Sequence, residues 1–171
     1  MELMKLDPAA AAAGRGMVQV AIQGESERKV TLTGIEFQVE RSPPPEGAVF
    51  DFPCGGSTVG RIIEVDLDPI PPQITASSAE VDGSLGTIRG RPLSRPIRFP
   101  WTVSLTDPLL LYVIAASDRC YCAWTAEIPW VSGSQRGVIS VADEGDGFQV
   151  IAADDVDSYG IGSGGRWAPT G

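Results

Sequence analysis

The chain has 171 residues, long enough for one domain with a real core, and 43% of them are apolar, the ordinary share for a globular protein. Its net charge of −9 and pI near 4.4 repel phosphate backbones and anionic lipid heads, so nucleic-acid binding is not expected. There is no histidine and no asparagine, which excludes Ser-His-Asp, Cys-His and His-metal chemistry as well as N-glycosylation.

The N-terminus, MELMKLDPAAAAAGRG, lacks the basic start and the long apolar stretch of a signal peptide. Residues 1–16 are expected to be a flexible leader, with a helical stub over Ala9–Ala13, or a linker trimmed from an upstream anchor or domain. Val18, Val20 and Ile22 alternate with Gln19 and Gln23, the pattern of a half-buried strand. Val30 and Leu32 continue it. At Gly34 the parity switches, so that Ile35, Phe37 and Val39 point inward, and one extra residue at a glycine predicts a β-bulge. Pro43-Pro44-Pro45 ends that strand as a stiff connector.

Ala48–Phe52 is a short predicted strand before the Pro53-Cys54-Gly55-Gly56 turn. Arg61–Asp68 places Ile63, Val65 and Leu67 inward, until Pro69, Pro71 and Pro72 break the strand. Residues 73–95 are turn-rich and read as a long loop with at most a short strand. Arg89, Arg91, Arg95 and Arg98 form the one close basic cluster, read as a solvated loop with an anion or partner site as the alternative. Ile97, Phe99, Trp101, Val103 and Leu105 give the cleanest alternation in the chain, and Pro100 places that strand at an edge or a bend. Leu109–Ala116, the longest apolar run, has the length of a buried central strand and falls well short of the ~20 residues of a membrane span. Cys120, Cys122, Trp124, Ala126 and Ile128 share one face of the next strand. The Gly133–Gly137 loop, Val138–Val141, the Asp143–Gly147 turn and Phe148–Ala152 follow.

About 8–10 short strands with no helical stripe predict an all-β fold: an antiparallel two-sheet sandwich, immunoglobulin-like or related, with a partly closed barrel as the alternative. The sandwich domain is expected over residues 17–153, with a Gly-rich C-terminal tail over 154–171 that could also be an extended closing segment.

Cys54, Cys120 and Cys122 are the disulfide candidates. In an extended strand Cys120 and Cys122 point the same way with Cα atoms about 7 Å apart, at the limit of disulfide geometry. A bridge from Cys54 to either would pin an early loop to the Trp124 strand and contribute about 4 kcal/mol. Three buried reduced thiols and a three-thiolate metal site completed by an acid or water are the other readings. Asp143 and Asp146 lie in one acidic turn and Asp155 and Asp157 in another. They are the weak Ca²⁺ candidates, although the twelve-residue loop pattern fails at Tyr159. No other cofactor and no catalytic residue is expected. The Gly55-Gly56-Ser57 and Gly162-Ser163-Gly164 turns lack the context of a nucleophile elbow. Trp101 and Trp124 belong in the core, Trp130 at its rim or within it, and Trp167 is the candidate exposed or docking aromatic.

Several short segments resemble a family of uncharacterised actinobacterial proteins. They are Val18–Gly24, Val30–Thr33, Pro43-Pro44 with Gly47, Gly55-Gly56, Val65–Asp68, Ser104–Pro108, Cys120–Trp124 and Asp143–Phe148. The resemblance spans roughly residues 17–150. It implies the globular part of a protein that carries an upstream membrane anchor or domain, and it supplies no activity. The expectation is therefore a non-catalytic binding or structural module outside the cytoplasmic membrane, with a protein or cell-envelope partner and no membrane insertion of its own. An edge strand such as the one carrying Pro100 could accept a strand from that partner. The alternatives are a carboxylate- or Ca²⁺-dependent hydrolase of the envelope, which would join two of Asp66, Asp68, Asp143, Asp146 and Asp154 in a cleft, and a cytoplasmic accessory domain.

Overall fold

A computed structural model of the chain describes residues 11–51, 58–81, 98–143, 147–153, 156–161 and 165–170. Among these there are strands and no helix. The strands are β1 (Ala12–Ala13), β2 (Arg15–Ile22), β3 (Val30–Leu32), β4 (Glu36–Ser42), β5 (Val49–Asp51), β6 (Thr58–Asp66) and β7 (Gln73–Val81). They continue with β8 (Trp101–Val103), β9 (Leu109–Ala116), β10 (Tyr121–Ser132), β11 (Gln135–Val141), β12 (Phe148–Ile151), β13 (Ser158–Ile161) and β14 (Trp167–Pro169).

The largest sheet is organised by β10, whose 12 residues are long enough to pair with two strands on each side. β12 and then β11 run along one side, β4 and then β3 along the other. β8 extends the β3 side, and β1 extends the β12 side. A second sheet has the order β2-β9-β6-β7, and a third, small sheet has the order β14-β13-β5. The sheets do not close into a barrel; the architecture is all-β and sandwich-like. The chain passes from the first sheet to the second between β1 and β2, at Gly14 (φ +64°), the kind of switch that forms a sandwich corner.

The sheets are mixed, which corrects the antiparallel expectation: β1 with β12, β5 with β13 and β6 with β9 are parallel pairs. β9 sits between antiparallel β2 and parallel β6. That internal place, buried on both faces, explains its unbroken apolar run. Leu111, Val113 and Ala115 face the main core, where they meet Ile63, Val65, Leu67, Leu32, Trp101, Trp124 and Ile128. Tyr112 and Ile114 face the other way and form a second small cluster with Ile62. Trp124 is at the centre of the main core. Its ring lies 4.8 Å from that of Phe148 and 5.8 Å from that of Phe37.

The parity switch at Gly34 is a true extra residue. Leu32 pairs with Trp130 and Glu36 with Glu127, so one side of the ladder holds one more residue than the other. Thr33 closes the gap by donating its N–H to Pro129 O at 2.9 Å. Of the alternation from Ile97 to Leu105, Ile97 lies outside the described residues and the remainder yields the three-residue β8. A turn in which Ser104 N–H donates to Asp107 O at 3.0 Å ends the strand, and Leu105 is exposed. β7 takes Gln73–Val81 of the segment 73–95 that reads as loop, and 82–95 lie outside the described residues. It is a Ser/Ala-rich edge strand, and an edge strand needs little apolar alternation. The Gly133–Gly137 loop is tighter than its composition suggests: Ser132 pairs with Gln135, and Gly133 (φ +60°) supplies the turn.

The expected leader over 1–16 contributes β1 and the start of β2, so Ala12 and Ala13 of the Ala9–Ala13 run are strand rather than helix, while residues 1–10 lie outside the described residues. The expected tail over 154–171 supplies β13 and β14. Among the described residues no helix is long and apolar enough to cross a membrane.

Candidate functional site

Among the described residues a dense polar group lies where β9 hands over to β10. Leu67, just past β6, donates its N–H to Ala116 O at 2.9 Å, and Ser117 donates its N–H to Gly14 O at 3.0 Å. These bonds seat Asp68 beside the Ser117–Cys120 turn. The Ser117 hydroxyl, buried at 1% exposure, donates to Asp68 Oδ1 at 2.7 Å and accepts the Cys120 N–H at 3.1 Å. Asp68 Oδ2 accepts the Asp118 N–H at 3.0 Å. Both carboxylate oxygens are thus oriented by donors, and the half-buried Asp68 is fixed in place.

Around this hydroxyl the two sulfurs converge. Cys120 Sγ lies 3.2 Å and Cys122 Sγ 3.8 Å from Ser117 Oγ, and Cys120 Sγ is 3.8 Å from Asp68 Oδ1. The sulfurs of Cys120 and Cys122 are in direct contact, with their Cα atoms 5.4 Å apart. The separation expected of an extended strand is therefore corrected. Cys120 precedes β10 and belongs to the turn held by Ser117, whereas Cys122 is already in the ladder opposite Arg41. At that spacing the pair lies inside the range of ordinary disulfides. Cys122 is fully buried and Cys120 nearly so.

Arg41, on the neighbouring strand, completes the corner. Its Nε donates to Leu67 O at 2.9 Å, and its Nη2 donates to Leu67 O at 2.6 Å and to Pro69 O at 2.7 Å. Arg41 belongs to the first sheet, and its acceptors follow a strand of the second. The corner is therefore a polar tie between the layers, adjacent to the sulfur pair. Chemically it combines two sulfur donors and an oriented carboxylate, and Asp68, Cys120 and Cys122 bring their ligand atoms within 4.8 Å of one another.

The other sequence candidates lie elsewhere. Asp143 and Asp157 are exposed, while Asp146 and Asp155 are outside the described residues. Cys54, Asp154, Arg89, Arg91, Arg95 and the two Gly-Ser turns are also outside them. Asp66 Oδ1 accepts the Asp68 N–H at 3.0 Å, a local turn contact rather than a pair of acids across a cleft. Trp101, Trp124 and Trp130 take their expected core and rim places. Trp167 is 40% exposed and sits edge-on to Phe50, with ring centroids 4.9 Å apart. The sequence points to both cysteines, but Ser117 goes unmarked and Asp68 appears there only as one acid among several. Nothing in a single sequence indicates that the end of β6 lies against the start of β10.

No protein-family model, no curated protein and no solved structure matches this chain.

Proposed function

We propose that the protein is a non-catalytic binding or structural module of the cell envelope, an immunoglobulin-like sandwich whose Cys120–Cys122 pair is held as a disulfide. The contact between those two sulfurs carries this reading, because disulfides persist in oxidising compartments outside the cytoplasm. The resemblance to anchored actinobacterial proteins and the acidic surface agree with it. A binding role has a surface available on the third sheet, where Phe50, half exposed, stacks on Tyr159 with centroids 5.7 Å apart and meets Trp167. Exposed aromatics that cluster in this way mark docking surfaces more often than scattered ones do.

The test is a thiol count in denaturant on protein purified without reductant, with the free cysteine located by peptide mapping. The proposal expects one reactive thiol, at Cys54, before reduction and three after it. Three reactive thiols in both conditions would contradict the disulfide and the envelope assignment built on it.

A further inference from the structure

We propose that, in its dithiol state, the Cys120–Cys122 pair together with Asp68 binds one thiophilic divalent cation of the zinc class. The inference does not rest on where the protein resides, since it concerns the reduced pair.

Three observations carry it. First, the three donor groups are already gathered: their ligand atoms lie within 4.8 Å of one another. In tetrahedral zinc sites, metal–sulfur distances of about 2.3 Å and metal–oxygen distances of about 2.1 Å set the ligand atoms roughly 3.5–3.8 Å apart. The 3.8 Å between Cys120 Sγ and Asp68 Oδ1 is close to one such edge, and forming the site requires the two sulfurs to separate by side-chain rotation. Second, the carboxylate is preset. Ser117 Oγ–H and the Asp118 N–H each occupy one lone pair of Asp68 and leave others free for a metal, which is how outer donors orient a ligating carboxylate. Third, the sequence separation of 2 argues against a purely mechanical role for the sulfurs. A disulfide that encloses a single residue removes little loop entropy, on the order of 1.5 kcal/mol, and restrains no distant element. A metal held by the same sulfurs and Asp68 would join the end of β6 to the start of β10, and hence one sheet to the other.

The donor types select the cation. Two thiolates favour zinc, cobalt or cadmium over calcium and magnesium, which prefer an all-oxygen shell. The site supplies three protein ligands and leaves a fourth position on the half-exposed Asp68 side. A dithiol reductant gives two electrons and two protons to the disulfide and becomes a disulfide itself. Cation binding then releases the two thiol protons.

The experiment is a Co²⁺ titration of the full chain, reduced with a phosphine under anaerobic conditions and followed by absorbance, then back-titrated with Zn²⁺. The expected result is one equivalent bound, with thiolate-to-cobalt charge-transfer and tetrahedral d–d bands that zinc abolishes. Cys54→Ser should leave the titration unchanged, Cys122→Ser should abolish the charge-transfer bands, and Asp68→Asn should weaken binding at least tenfold, on the order seen when a metal site loses a supporting group. The oxidised chain should bind no cobalt. Absence of the bands in the reduced chain would overturn the proposal, as would loss of binding in Cys54→Ser or unaltered affinity in Asp68→Asn. Asp68→Asn keeps the test decisive should Cys122→Ser fold poorly, because its amide can still accept from Ser117.

Discussion

The two main sheets meet differently at two places. Where the end of β6 passes β4, Arg41 donates to Leu67 O and Pro69 O, and Ser117 and Asp68 bind the next corner. Where β2 passes β11, the sheets stand apart around a cleft of about 490 Å³ lined by Val18–Gln23, Ile139–Ala142 and Phe148. The first is closed by oriented polar groups and sulfur, the second by core packing beneath an open mouth. Apolar contact alone is non-directional and holds two layers at many relative positions. Directed bonds fix the register at the corner they span. The interior therefore sets how strongly the layers adhere, and the tied corner sets how they are aligned.

Substitutions ordered by expected effect would sharpen or break that contrast. Trp124→Ala removes the ring that touches both Phe37 and Phe148 and so undermines both places. It should cost about 3–5 kcal/mol in chemical denaturation, and a loss below 1 kcal/mol would remove the core from the account. Arg41→Ala leaves the Leu67 and Pro69 carbonyls without their guanidinium donor at the tied corner alone. The expected loss is about 1–3 kcal/mol, with exchange of nearby amides accelerated and the β2–β11 side unchanged. Replacing both Cys120 and Cys122 by Ala should cost about 1.5 kcal/mol from the lost short loop, before any cavity contribution. A loss near 4 kcal/mol would be the signature of a long-range bridge instead. Val138→Ala on the outward face of β11, where Val138 is 55% exposed, should move stability by less than about 0.5 kcal/mol. A larger change would mean that this face of β11 is covered in solution.

Much of the fold was legible in the sequence because burial writes itself into period-two patterns. Cys122, Trp124, Ala126 and Ile128 alternate inward on β10 as expected, and the extra residue at Gly34 was visible as a parity switch. Edge and outer elements left no such mark. β7 is an edge, and β13 and β14 form a small outer sheet with β5, so glycines and polar residues there read as loop and tail. Strand direction was not legible either: the parallel pairing of β6 with β9 depends on which distant segments meet. The same limit applied to the candidate site. The Cys-x-Cys pair stood out, but its partner Asp68 comes from another sheet, and Ser117 is an ordinary serine until its hydroxyl is seen between them.

Hydrogen exchange on the oxidised and reduced protein tests the central contrast most directly. The Leu67, Ser117, Asp118 and Cys120 amides should be strongly protected in the oxidised chain. Reduction should release protection at that corner first and leave the β2–β11 side as it was. Equal protection at both places, or a loss on reduction that spreads evenly through the two sheets, would contradict that contrast.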